Sequence, residues 1–256
     1  MSEARTGDAT RGVSRLRLAR AIEDAALSPS EPHPCSYLPG RSARAIALLP
    51  GRLPPGLYHG LMDLNFRRSG RIFYRPTCAG CRECRAIRVP VARFRADRTQ
   101  RRCWRRNRDL DVEASGPAPT AEKHALYERY LRARHRGQMD CSWEEFQSFL
   151  YESPIDTLEV TYRLGGRLMA VGIVDEEPDA LSTVYCYFDP DERVRGLGVF
   201  NVLWTVEHAR ARGVPHVYLG YYVAGSSTMS YKARFRPHEL LVDGNRWVEG
   251  PTARTW

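Results

Sequence analysis

Lysine is nearly missing from this chain of 256 residues: Lys123 and Lys232 stand against 37 arginines. Where Arg is the default cation, a retained Lys suggests a task that needs a compact ammonium. Long apolar runs are missing too, and none approaches the roughly 18 residues of a membrane helix. The first thirty residues lack the apolar centre of a signal peptide, so a cytoplasmic protein is expected. The seven cysteines are odd in number and spread along a long chain, which argues against a secreted disulfide scaffold. There is no internal repeat, so a solenoid is not indicated.

What is present is an ordinary globular composition, 43% hydrophobic and 27% charged, long enough for one large domain or two small ones. The net charge of +9 is unevenly placed. Residues 1–115 carry 23 basic and 11 acidic residues, whereas residues 116–256 carry 16 and 19. The front half is therefore the candidate for binding a polyanion. Its densest stretch runs from Arg98 to Arg108. At helical spacing Arg98, Arg101, Arg102 and Arg105 share a face, with Trp104 as a stacking surface, which favours nucleic-acid phosphate.

Residues 1–30 read as a tail with a helix near Ser14 to Ala26. Residues 31–56 hold six prolines and read as turns and extended chain. A short helix is expected from Leu57 towards Gly70, then strands at Arg71–Pro76 and Arg85–Val91 around a cysteine turn. Beyond that, a strand at Leu110–Glu113 precedes a helix capped by Thr120 and running to about Arg136. A second helix is opened by Ser142, with Glu145 completing a capping box. Strands follow at Thr157–Leu164, Arg167–Val174 and Leu181–Phe188, the first two joined at Gly165-Gly166. A helix from Leu197 to Ala211, a strand at Val217–Gly220, a helix over Ser226–Phe235 and extended chain complete the order. This order resembles that of the GNAT acyltransferases, a mixed sheet flanked by helices. The expected division is a tail (1–30), a basic cysteine-bearing subdomain (31–109) and a GNAT-like α/β acyltransferase domain (110–256).

Cys78, Cys81 and Cys84 form CxxCxxC, and Cys35 is a plausible fourth ligand. Four thiolates suit zinc or an iron–sulfur cluster. Arg193-Val-Arg-Gly196-Leu-Gly198 lies before the long helix, where glycines let backbone N–H groups approach an anion. The same pattern forms the pyrophosphate loop of acetyl-CoA enzymes. Leu219-Gly220-Tyr221-Tyr222 ends a strand, and Met229-Ser230-Tyr231-Lys232 follows.

Together these motifs resemble the family of aminoacyl-tRNA–protein transferases, over about residues 31–247. The likeness rests on Cys35-Ser-Tyr37, Phe66-Arg-Arg-Ser-Gly70, Tyr74-Arg-Pro76, the cysteine turn, Arg101-Arg102, Tyr187-Phe-Asp-Pro-Asp191, Leu219-Gly-Tyr-Tyr222, Met229-Ser-Tyr-Lys232 and Phe235-Arg-Pro237. The compact length is similar to the bacterial leucyltransferase branch. In the longer arginyltransferases a second cysteine follows the first; Leu38 holds that place here. The resemblance implies transfer of leucine from leucyl-tRNA to the α-amine of proteins with N-terminal Asp or Glu, which marks them for degradation. It implies no cofactor for the chemistry, and neither DNA nor a membrane as partner. Arg67, Arg68, Arg101, Arg102 and Arg105 are expected to track tRNA, with Gly196, Gly198 and Tyr222 as further substrate contacts. Lys232, Arg234 or Arg236 would receive the acidic side chain. Asp189, Asp191 or Glu207 would take the amine's proton or hold its ammonium, and Tyr187, Tyr221 or Tyr231 would donate to the oxyanion or ribose. Within the family the alternative is transfer of arginine from arginyl-tRNA, and two rivals stand outside it, an acetyl-CoA-dependent N-acetyltransferase and a non-catalytic RNA-binding or redox module.

Overall fold

The computed structural model describes residues 17, 19–21, 29–135, 140–243 and 246–251. The helix expected near Ser14 to Ala26 lies outside them except at positions 17 and 19–21, which are helical. Two short strands, β1 (His33–Pro34) and β2 (Ser42–Ala43), pair with each other. A three-stranded antiparallel sheet has the order β3 (Ala45–Leu48), β5 (Ile72–Pro76), β4 (Arg67–Ser69). Helix α1 (Leu57–Asp63) packs with it through Leu57, Tyr58, Leu61, Phe66 and Phe73, a core that also takes in Ala180 and Tyr218. The helix expected to reach Gly70 ends at Asp63, because Asn65 takes a left-handed φ of 68° and reverses the chain into β4.

The large sheet has eight strands: β6 (Arg85–Pro90), β7 (Asp111–Ser115), β8 (Thr157–Leu164), β9 (Arg167–Glu177), β10 (Ala180–Phe188), β11 (His216–Tyr222), β12 (Glu239–Val242) and β13 (Arg246–Glu249). Their order across the sheet is β13-β12-β6-β11-β10-β9-β8-β7. Pairing is antiparallel except between β10 and β11. Strand β6 comes from within residues 31–109, so the front segment contributes to both sheets. Gly165 and Gly166 both have positive φ, 55° and 83°, which suits a two-residue hairpin turn between β8 and β9.

Strand β9 is buried along nearly its whole length, which requires cover on both faces. On one face, α3 (Ala121–His135) and α4 (Trp143–Leu150) bring Leu126, Tyr127, Leu131, Phe146 and Leu150 onto Val171, Ile173 and Tyr187. On the other, α5 (Leu197–Ala211) buries Leu197, Phe200, Val202, Leu203 and Val206. Helix α2 (Arg98–Arg106) rides on α5, with the Trp104 and Phe200 rings 5.2 Å apart. Its start is set by Asp97, whose side chain accepts from Gln100 N while Gln100 reciprocates. The helix expected over Ser226–Phe235 shrinks to a 3-10 turn, Ser230–Arg234. Ahead of it Ser226 Oγ and Thr228 Oγ1 bond each other, a local alternative to helical pairing.

Candidate active site

Parallel strands send the segments that follow them out of the same end of a sheet, and ligands of open sheets bind at that end. Here β10 leads into the Asp189–Gly196 loop and α5, and β11 leads into the turn that bears Lys232. The two strands pair at only three positions, Ala180↔His216, Leu181↔Val217 and Ser182↔Tyr218. Beyond these they part. Both are bulged at that point against their outer neighbours, β10 between Thr183 and Tyr185 and β11 between Tyr218 and Gly220. The result is a fork that opens towards the carboxyl ends of the strands.

Arg67 fills the base of the fork. Its Nη1 donates to Ser182 Oγ at 3.1 Å and its Nη2 to the Thr183 carbonyl at 3.1 Å. On the opposite strand Gly220 has φ +89°, and a Cβ there would lie 3.0 Å from Arg67 Nη2. Glycine is thus required twice over, by the backbone and by the guanidinium. Lys232 is aimed at the same place. Its Nζ donates to the Tyr221 carbonyl at 3.0 Å and touches Met229 Sδ at 3.6 Å. Burial first, and Arg67 second, bring this ammonium down to about 7. Tyr37 and Tyr74 line the Arg67 side, and burial holds both phenols above their ordinary range. Cys186 of β10 stands beside Tyr231, its thiol pushed up to about 12 by burial.

The residues expected from the sequence distribute unevenly around this fork. Lys232, Tyr221, Tyr222 and Tyr231 belong to it. The Tyr221 hydroxyl, however, donates to the backbone carbonyls of Asn65 and Tyr74, so it ties the front segment to β11 rather than facing a substrate. Tyr222 lies under the Arg85 guanidinium. Tyr231 is partly exposed. Tyr187 points to the α3–α4 face, where its hydroxyl meets that of Tyr151 at 3.2 Å and Tyr151 in turn donates to Glu159. The three carboxylates are engaged elsewhere. Asp189 is buried and accepts from Arg129 at 2.7 Å and Arg167 at 3.2 Å. Asp191 shares Arg129, and exposed Glu207 pairs with Arg210 one turn on. All three carboxylates, expected to serve the amine, are thus already held in ion pairs.

Arg67 and Arg68, expected to track tRNA, are buried. Arg98, Arg101, Arg102 and Arg105 are exposed on α2. This helix borders both arms of the site. Gln100 Nε2 donates to the Arg234 carbonyl at 3.1 Å, two residues from Lys232. Asn107 Nδ2, just past the other end, donates to the Arg195 carbonyl at 2.8 Å in the glycine loop. Gly196 takes φ 66° as the N-cap of α5, and a Cβ on Gly198 would lie 3.3 Å from the Phe188 ring. Arg234 is exposed, whereas Arg236 lines an open basin of about 660 Å³ with Arg93 and Arg95.

Cys35, Cys78, Cys81 and Cys84 share one corner beside the fork. The Cys84 thiol is pushed up to about 12, by burial and then by Cys35, Cys78 and Cys81. Arg44 N donates to Cys78 Sγ at 3.5 Å. Among the described residues no three His, Cys, Asp or Glu side chains are grouped so as to hold a metal ion. As placed, the four thiols are neighbours and not a ligand set. Leu38 of the same loop reaches the segment after β11, 3.0 Å from where a Gly225 Cβ would sit. Sequence reasoning missed the true station of Arg67 and the parts of Tyr74 and Cys186. The adjacent Arg67-Arg68 pair on an alternating strand was the available signal, since one of two successive side chains must turn inward. No helix among the described residues is long and apolar enough to cross a membrane.

Comparison with known proteins gives matches over most of the chain. The family model for the N terminus of arginine-tRNA-protein transferase matches residues 33–102, and that for its C terminus residues 122–242. The aspartate/glutamate leucyltransferase of Stenotrophomonas maltophilia (strain R551-3) is 46% identical over 224 residues, 84% of this chain and 89% of that one. That of Chromobacterium violaceum is 42% identical over 223 residues, 86% of this chain and 92% of that one. Among solved structures, L-PGS from Bacillus licheniformis is similar over 65% of this chain and 50% of that one, with a TM-score of 0.43 and 10% identity.

Proposed function

The chain belongs to the arginine-tRNA-protein transferase family, and from that premise we propose that it moves leucine from leucyl-tRNA to the α-amine of proteins beginning with Asp or Glu. The observation that carries the reading is a half-buried Lys232, its ammonium brought down to about 7, at a fork bordered by an arginine-bearing helix. The opened parallel pair is read as GNAT-like. The small sheet with the cysteine corner is read as a subdomain that plugs the fork's base, and the compartment as cytoplasm.

The aminoacyl ester arrives activated, so the chemistry asks for no CoA and no metal. The acceptor's α-ammonium, with a pKa near 8, gives a proton to neutral Lys232. The freed amine attacks the leucyl carbonyl carbon. A C–N bond forms, the ester C–O bond to the ribose breaks, and the ribose oxygen takes up a proton as it leaves. Holding the two substrates together supplies a large part of the acceleration. Tyr231 is proposed to donate to the oxyanion, and exposed Arg234 to receive the acceptor's carboxylate. The N-terminus of α5 at Gly196 and Gly198 is assigned to the 3′-terminal phosphate. The α2 arginines are assigned to the tRNA backbone. Neither DNA nor a membrane enters this reading. No step is routed through a zinc ion or an iron–sulfur cluster on the cysteines.

Transfer is tested with leucyl- and arginyl-tRNA as donors and peptides beginning with Asp, Glu, Lys or Arg as acceptors. Leucine on Asp and Glu peptides alone is the expected result. No transfer, together with tight acetyl-CoA binding in calorimetry, overturns the reading. A second expectation concerns α2. Replacing Arg101, Arg102 and Arg105 by Ala should weaken tRNA binding and flatten the dependence of log K on log salt by about 2–3. An unchanged slope in a filter-binding titration moves the RNA to another surface.

A further inference from the structure

We propose that Arg67 is the positioning residue of the transfer site: it wedges β10 and β11 apart and fixes the electrostatic surroundings of Lys232. The inference rests on the transferase reading and adds to it a residue that touches neither substrate.

The ladder between the two strands ends at Ser182↔Tyr218. At the next position a continued ladder would bring β11 against the Thr183 carbonyl. That carbonyl is instead taken by Arg67 Nη2, and Ser182 Oγ by Nη1. The guanidinium thus replaces the missing strand-to-strand bond, and Gly220 supplies the room for it. Without the wedge, nothing on β4 would prevent Thr183 and Gly220 from closing together. Strand β4 is delivered to this point by the small sheet and by Asn65, whose Nδ2 donates to Cys84 O and whose Oδ1 accepts from Ala86 N, on the way into β6.

The wedge is also a charge. Arg67 of β4 faces Lys232; Tyr37 of the cysteine loop, Tyr74 of β5 and Cys84 before β6 surround Arg67 and Tyr221 of β11, and Cys186 of β10 and Tyr130 of α3 stand beside Tyr231 of the lysine's own turn. The phenols of Tyr37, Tyr74 and Tyr221 and the thiols of Cys84 and Cys186 are raised by burial, and are therefore neutral near pH 7. Arg67 is the charge that acts on Lys232. A fixed cation beside an ammonium favours its neutral form, and the neutral form is what can accept a proton.

The test exploits the two lysines of the chain. With 13C-labelled lysine, NMR titration of the full protein follows Lys232 directly, with Lys123 as the internal control. Arg67→Gln retains hydrogen-bond donors but removes the charge. It is expected to raise the Lys232 midpoint by about one unit and to move the acid limb of kcat/KM upward by the same amount. The kcat should fall about tenfold or more, with tRNA affinity unchanged. Arg67→Lys keeps the charge and should hold the midpoint near that of the parent. A midpoint unmoved in Arg67→Gln, or a moved midpoint with parental kcat, overturns the proposal. If Arg67→Gln does not fold, Arg67→Lys decides, since a midpoint displaced there overturns it and a retained one supports it. If the parent transfers no leucine while Arg67→Gln still shifts the midpoint, the functional reading fails and the wedge stands.

Discussion

Lys232→Met should lower kcat by about 10²–10⁴-fold, the range of a positioned general base, while leaving tRNA affinity intact. Methionine nearly matches the volume of the lysine stem, so packing against Met229 and Tyr221 survives and the amine alone is lost. Lys232→Arg should not rescue, because a guanidinium does not give up its proton near neutrality. The parent's kcat/KM should rise with pH through about 7, and that limb should vanish in Lys232→Met. A parental rate in either variant removes Lys232 from the chemistry.

The same substitution has a second signature in stability. The folded pKa of Lys232 lies below that of an unfolded lysine, near 10.4. Between the two values the unfolded chain binds the extra proton, so this group's contribution to stability rises with pH across that window. At and below about pH 7 the full penalty of burying the ammonium is present. Above about pH 10.4 it is gone. Lys232→Met should therefore resist urea better than the parent at pH 6.5, with the gap narrowing towards pH 10. A gap independent of pH would show that the buried ammonium is not strained by its surroundings.

The parts of this arrangement differ in how far local sequence could reveal them. Strand β8 and helix α5 were legible because their signals are local: alternation bounded by a Gly-Gly turn, and a long apolar run stopped by Gly213 and Pro215. The scarcity of lysine singled out Lys232 as a candidate. The fork was not. Its parallel pair is defined by which strands lie side by side, and the place of β6 between β11 and β12 has no trace in the residues of β6 itself. The partners of the carboxylates were hidden for a related reason. Asp189 follows a strand, as a catalytic acid would, but Arg129 and Arg167 reach it from α3 and β9, respectively 60 and 22 residues away in sequence. Charge alone did not separate the arginines, since Arg67 and Arg101 are the same residue type in equally basic surroundings. What separates them is that β4 is covered on both faces and α2 on one.

Strand β4 also carries the largest expected effect on stability. Its alternation turns Arg67 into the fork and Arg68 to the opposite side. There Arg68 meets Asp175 in a two-pronged pair, Nε to Oδ2 at 2.8 Å and Nη2 to Oδ1 at 2.6 Å, with both side chains fully buried. Arg68 Nη1 donates further to the Gly70 carbonyl at 2.8 Å, and Thr157 Oγ1 donates to Asp175 at 3.0 Å. The pair joins the small sheet to β9 of the large one. Removing one partner leaves the other charged, dry and unmatched, which costs about 3–5 kcal/mol, out of a total of about 5–15 for a folded protein. Asp175→Ala should lower the melting temperature by about 6–20 °C at this chain length, or prevent folding. The double replacement Arg68→Met with Asp175→Leu removes both charges and should recover most of the loss, since what destabilises is the orphaned charge and not the missing bond. The fraction of Asp175→Ala that folds should keep the parental pH limb, because Lys232 responds to Arg67 and not to Arg68. A double variant no more stable than Asp175→Ala would mean that the ion pair itself, and not the avoidance of an unpaired charge, holds the two sheets together.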